Sequence, residues 1–219
     1  MRILVGTFEI GRMVHDLAEG FRRLGHHVDT VMAAVNPYFR DLHYNYGFSQ
    51  TELGEVVSSL KEKPHLKDSK PMRVLNLLLS DYDVYVFIFA SSLLPDNLDF
   101  PLLKSRGKKI ISLFNGSDVR HWSAAEPVAE AYGYRIPSMC RTAPFNNLKV
   151  RLGNIRRAER FADAVFSLPF QSELAIRPYH HILLPVDLSL YEENIPARDV
   201  PVLVHAPSRR NFKGTEIFL

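Results

Sequence analysis

The chain has 219 residues, 46% hydrophobic and 23% charged, with a formal charge of +3 and a pI near 9.0. That supports one good apolar core and the beginning of another, and the mild basic balance permits contact with phosphate or anionic lipid without demanding nucleic acid. A single cysteine, Cys140, excludes an internal disulfide framework and fits a reducing compartment. No apolar run approaches the roughly 18–20 residues that span a bilayer, and the stretch between Arg2 and Glu9 is too short for a signal-peptide core. A cytoplasmic protein is expected.

In chain order, strands and helices alternate, which predicts an α/β fold with a doubly wound parallel sheet covered on both faces. Arg2–Gly6 reads as a short apolar strand. A helix follows over Gly11–Leu24, with Met13, Leu17, Phe21 and Leu24 on one face and Gly25 placed to end it in a left-handed conformation. Val28–Val35 is the second strand, and Val84–Phe89, Lys109–Phe114, Ala164–Leu168 and His181–Leu184 read as further strands. Helices are predicted at Thr51–Lys61, Pro71–Ser80, Asn97–Ser105, Pro127–Tyr132 and Asn147–Phe161. Glu192–Val200 has the polar, proline-bearing composition of a linker. Val202–His205 reads as one more apolar strand, leading through a basic turn to a helix start at Glu216.

Three loops carry candidate chemistry. Gly6 and Gly11 have the glycine spacing of a P-loop, but Arg12 and Met13 stand where Lys and a magnesium-holding hydroxyl are needed, so an NTPase reading fails. G-x-G-x-x-G is absent as well, which excludes a dinucleotide fingerprint. Gly11 remains as a turn glycine where backbone can approach a ligand at a helix N-terminus, or simply as a tight turn. Asn115-Gly116-Ser117-Asp118 lies past the end of a strand, the edge at which open α/β sheets bind ligands. There Asp118 and Arg120 can meet sugar hydroxyls or order the loop. In the third loop Arg209, Arg210 and Lys213 precede Gly214, and a planar fork beside a compact cation suits a diphosphate.

These motifs, in this order, resemble family-four retaining glycosyltransferases of the GT-B fold. Asn211-Phe212-Lys213-Gly214-Thr215 resembles the loop opening their C-terminal domain, and Phe114-Asn115-Gly116-Ser117-Asp118-Val119-Arg120 their His-Gly-Ser-Asp-Val/Ile-Arg element. Leu184-Pro185-Val186-Asp187 to Tyr191 is similar to the segment before their interdomain linker. The resemblance implies a Rossmann-like acceptor-side domain over 1–197 and the start of a nucleotide-sugar domain over 198–219. It also implies transfer of a sugar from a nucleoside-diphosphate sugar, a co-substrate, to a saccharide or lipid-linked acceptor, with no further cofactor and no metal. Lys213 and Arg209 or Arg210 would hold the leaving diphosphate, Gly11 would admit it closely, and Asn115, Asp118 and Arg120 would line the acceptor side. The family usually has His where this chain has Asn115, and an amide cannot act as a general base. The paired glutamates that hold the donor in that family have no counterpart after residue 198. The rest of the donor domain is therefore expected beyond Leu219, and the chain alone is expected to show no sugar transfer. The alternative is a non-catalytic Rossmann-like binding or interaction module.

Four other features have competing readings. Asp81-Tyr82-Asp83 spells the metal-binding Asp-x-Asp of other glycosyltransferases, but it precedes a strand and reads better as a turn. The pairs His26-His27 and His180-His181 are adjacent, so in extended chain they face opposite ways and make poor metal ligands. The helix over Asn147–Phe161 carries Lys149, Arg151, Arg156, Arg157 and Arg160, either a solvated basic face or a peripheral membrane contact. Tyr38, Phe39, Tyr44, Tyr46 and Phe48 form either an acceptor platform or a loop packed on its own core.

Overall fold

The computed structural model describes residues 1–33, 37–133, 135, 147–168, 174–193, 200, 202, 204–206 and 215. They fall into two compact units, Met1–His121 with Asn147–Val186, and Trp122–Asn146 with Asp187–Leu219.

The first unit holds the whole sheet. Its strands are β1 (Arg2–Thr7), β2 (His27–Met32), β3 (Tyr46–Gly47), β4 (Val84–Ile88), β5 (Lys109–Phe114), β6 (Ala164–Ser167) and β7 (His180–His181). All pairings are parallel, in the order β3-β2-β1-β4-β5-β6-β7. The chain builds outward from β1 to β3, returns beside β1 with β4, and continues to the other edge. This is a Rossmann-like doubly wound sheet, and its order reverses between β1 and β4.

Buried on both faces, the strands read as apolar runs. On one face α1 (Met13–Arg23) lays Met13, Val14 and Ala18 on Ile3, Val5, Val28, Val86, Ile88 and Leu113. Gly25 follows that helix at φ 81°, the left-handed stop expected of it. On the other face α2 (Gln50–Ser59), α3 (Lys70–Ser80), α4 (Phe100–Ser105) and α6 (Leu148–Phe161) contribute to a second core with Leu4, Val31, Phe87 and Ile110. Each fully buried side chain of this kind contributes roughly 1.5–3 kcal/mol. Ser49 caps α2 by accepting the Glu52 N–H at 3.2 Å, and Asn147 caps α6 by accepting that of Val150 at 3.2 Å.

The structure departs from the sequence reading at several elements. The strand expected over His181–Leu184 is only His180–His181, paired with Phe166 and Ser167. The helix expected over Asn97–Ser105 is a 3-10 turn at Pro95–Asn97 followed by α4, because Asp96 and Asn97 take left-handed φ values of 55° and 53°. In the second unit α5 spans Trp122–Ala131 and carries Pro127 inside it, whereas the sequence predicts the helix to start at that proline. Of the segment read as a strand at Val202–His205, the described residues Val202, Val204 and His205 lie in no ladder, and both valines are exposed. An extended segment becomes a strand only by pairing its N–H and C=O groups with a neighbour. Of the linker, 194–199 lie outside the described residues, as does Cys140.

Candidate functional site

Three loops emerge side by side from the carboxyl ends of β1, β4 and β5. The first, Phe8–Arg12, enters α1 through two consecutive left-handed residues, Gly11 at φ 58° and Arg12 at φ 65°. A Cβ on Gly11 would meet Leu184 Cδ1 at 3.7 Å and Cδ2 at 3.9 Å, ordinary contacts, so the glycine is required by its backbone angle and not by space.

Glu9 is the residue in this loop that the sequence reading passed over. It is buried, and its carboxylate accepts the N–H groups of Val14 (3.1 Å) and His15 (3.2 Å) and the Tyr44 hydroxyl (3.0 Å). Met13 N–H donates to Ile10 O at 3.0 Å and Asp16 N–H to Arg12 O at 2.8 Å. The four leading amides of α1 are thus satisfied by the chain itself, and an internal carboxylate sits where the helix dipole favours an anion. Gly11 supplies the turn that brings Glu9 there, not a ring of free N–H donors. Burial, followed by the Glu9 charge and hydrogen bond, pushes the Tyr44 hydroxyl pKa up, keeping it a donor. The only sequence signal was an acidic side chain just before a glycine turn and a helix.

The loop after β5 is organised by Asp118. Its carboxylate accepts the N–H groups of Asn115 (3.1 Å) and Gly116 (2.7 Å), and the side chain is buried. Of the two roles open to Asp118 in the sequence, ordering the loop is the one its contacts perform. Burial raises its pKa to about 6, partly offset by those N–H groups and the Arg151 charge. Arg120 N–H closes the turn onto Gly116 O at 2.6 Å, and its side chain is half-buried. Asn115 Nδ2 reaches back to Met13 Sδ at 3.3 Å, which joins the β5 loop to the start of α1. Asn115 Oδ1 is buried with no protein partner among the described residues. Gly11, Asn115, Asp118 and Arg120 therefore share one edge, as expected. Arg209, Arg210 and Lys213 lie outside the described residues.

Asp81 and Asp83 sit at the opposite edge: Asp83 Oδ2 accepts the Arg2 N–H at 2.8 Å, Asp81 lies 3.6 Å from the Arg2 guanidinium, and Tyr82 between them is buried. The basic face of α6 is largely engaged within its own unit. Arg157 pairs with Asp96 at 3.1 Å and Arg156 with Glu159 at 2.7 Å, while Arg160 lies 5.1 Å over the Phe161 ring. Among the described residues no helix is long and apolar enough to cross a membrane. The aromatics after β2 do not gather into one platform: Tyr44 turns to Glu9, while Tyr46 and Phe48 pack on the opposite core.

Searches of protein-family models and of curated proteins find no match to this chain.

Proposed function

We propose that this chain is the acceptor-side Rossmann-like part of a glycosyltransferase that moves a sugar from a nucleoside-diphosphate sugar to a saccharide or lipid-linked acceptor. The observation that carries the reading is the 3.3 Å contact between Asn115 Nδ2 and Met13 Sδ. It gathers the loops after β1 and β5 at the carboxyl edge, beside the point where the strand order reverses, the usual ligand position in such sheets. The resemblance of residues 114–120 and 211–215 to a retaining transferase supplies the reaction class. In this reading Asn115 and Arg120 meet acceptor hydroxyls, Asp118 holds their loop in shape, and Gly11 sets the turn beside them. Arg209, Arg210 and Lys213 take the donor diphosphate through charge-assisted hydrogen bonds. The α1 amides bonded to Glu9 take no part in it.

Calorimetric titration with short oligosaccharides and polyprenyl-phosphate-linked glycans tests this reading. Binding is expected, weakened about tenfold by Arg120→Ala, the loss of one good hydrogen bond to a charged group, and unchanged by Lys213→Ala. Absence of binding by every saccharide and lipid-linked glycan contradicts the proposal, as does binding that Lys213→Ala abolishes and Arg120→Ala leaves untouched.

A further inference from the structure

The carboxyl edge carries an aromatic pair that none of the predicted site residues includes. Phe8 follows β1 and Phe89 follows β4, and their rings stack with centroids 4.9 Å apart and planes 20° from parallel. In the β1–β4 register Gly6 faces Phe87, so the two phenylalanines stand side by side where the strand order reverses. Phe89 N–H donates to Leu113 O at 2.9 Å, which places Asn115 one strand further along the same edge. Phe89 packs on the α1-side core together with Met13, the residue that Asn115 Nδ2 touches.

The loop presenting this pair is held in an unusual conformation. Phe89 and Ala90 take φ values of 64° and 50°, a region that side chains with a Cβ rarely adopt. Neighbours impose it. Asn97 Nδ2 donates to Ala90 O at 3.3 Å, and Gln50 Nε2 donates to Ser92 O at 2.9 Å and Leu94 O at 3.1 Å. Fully buried Asp99 accepts Ser92 Oγ at 2.5 Å and the N–H groups of Leu93 and Leu94 at 3.2 and 3.3 Å. Thr7 Oγ1 ties the end of β1 to the loop by donating to Ser91 Oγ at 2.8 Å. This scaffolding leaves the Phe8 side 36% exposed at the edge where ligands bind.

The chemistry favours one kind of occupant. A pyranose ring presents a face of C–H groups that suits the negative face of an aromatic ring, with hydroxyls around its rim. Asn115 Oδ1, buried and without a protein partner among the described residues, is an acceptor, and a hydroxyl is a donor that suits it. A nucleotide would bring phosphates, and the α1 amides that would receive them are already bonded to Ile10, Glu9 and Arg12. Resting on the acceptor-side reading above, we propose that Phe8, backed by Phe89, is the platform for one pyranose ring of the acceptor, with Asn115 Oδ1 accepting one of that ring's hydroxyls.

Chemical-shift titration of the isotope-labelled full chain decides it, using methyl α-glucopyranoside, methyl α-mannopyranoside and methyl β-N-acetylglucosaminide, with uridine as the flat non-saccharide probe. At least one glycoside should shift the amides of Phe8, Phe89 and Asn115. Phe8→Ala and Asn115→Ala should each weaken its binding about tenfold, in the range of one aromatic or hydrogen-bonded contact. Phe8→Leu keeps apolar bulk against Phe89 and the native fold, checked by its thermal midpoint, and should lose binding equally. Phe8→Trp should retain it. Glycoside binding at full strength in both Phe8→Leu and Phe8→Ala overturns the platform while leaving the acceptor-side reading intact. Shifts at Phe8 and Phe89 with uridine but with no glycoside, or no shift there with any probe, overturn it too.

Discussion

Gly6→Ala is expected to abolish the accumulation of folded protein. Gly6 lies in β1, an interior strand beside the point where the sheet order reverses, and pairs with Val31 of β2. A Cβ placed on it would fall 2.2 Å from Val31 O and 2.6 Å from Val31 Cγ1. The oxygen belongs to a backbone locked in the ladder, so relief requires moving one strand away from the other. Both strands carry the core beneath α1, and Val31 also packs in the opposite core. A substitution that must separate two interior strands of the sheet belongs with the exceptional losses above about 4–5 kcal/mol, comparable to the whole stability of many domains. Gly20→Ala provides the contrast. Gly20 is exposed within α1 and a Cβ there meets nothing within 4 Å. That change should stabilise the protein by roughly 1 kcal/mol through helix propensity. Soluble yield and thermal midpoints of the two variants check the pair; a Gly6→Ala protein melting like the wild type would show that β1 and β2 do not approach as described.

Asp99→Ala should lower stability at neutral pH by about 3 kcal/mol, because it orphans the Leu93 and Leu94 N–H groups at about 1–3 kcal/mol each, while Ser92 Oγ keeps its bond to Leu94 O. The same substitution should change the pH profile. Burial raises the Asp99 pKa from 3.8 to about 6, against the opposing pull of Ser92 and the backbone amides, and burial does the same for Asp118. A carboxyl whose folded pKa lies above its unfolded value holds its proton more tightly when folded. Its contribution is greatest below the unfolded pKa and is lost as pH rises through the folded one. Asp163 has the opposite sense. Burial alone would raise it, but Lys104, the Ile110 N–H and Lys109 together bring it down from 3.8 to about 2, so its contribution is lost as pH falls through that value. From these three groups stability should peak near pH 4, about where their windows meet. Asp99→Ala should flatten the decline above that point and leave the acid limb unchanged. Denaturation midpoints across pH measure both limbs; an unaltered decline in Asp99→Ala would remove Asp99 from the account.

The sheet was legible because its central strands are apolar runs bounded by turn residues. Lys109–Phe114 was read with its observed limits, and β1 and β4 to within one residue. β3 was not legible, because Tyr46 and Gly47 become a strand only by lying against Val31 and Met32, a long-range fact without periodicity. The β1 and β5 loops were found from their glycines, and their meeting through Met13 and Asn115 follows from strand order. The β4 loop was missed altogether. An aromatic run such as Val84–Phe89 reads as strand to its last residue, and nothing local announces that Phe89 will turn left-handed. The cause lies in Gln50, Asn97 and Asp99, which hold the loop from outside it. Glu9 escaped because its carboxylate caps α1 from five and six residues away, outside the usual capping-box spacing.

Acceptor saccharides are proposed to bind at the carboxyl edge of the sheet. The most direct test is amide chemical-shift mapping of the full chain with an oligosaccharide or a polyprenyl-phosphate-linked glycan, comparing the sheet's two edges. Saturable shifts are expected at Phe8–Arg12, Phe89–Ser91 and Asn115–Arg120, with Arg2, Asp83, Gly107 and Lys108 at the amino edge unmoved. Shifts confined to the amino edge, or none with any saccharide, would contradict it.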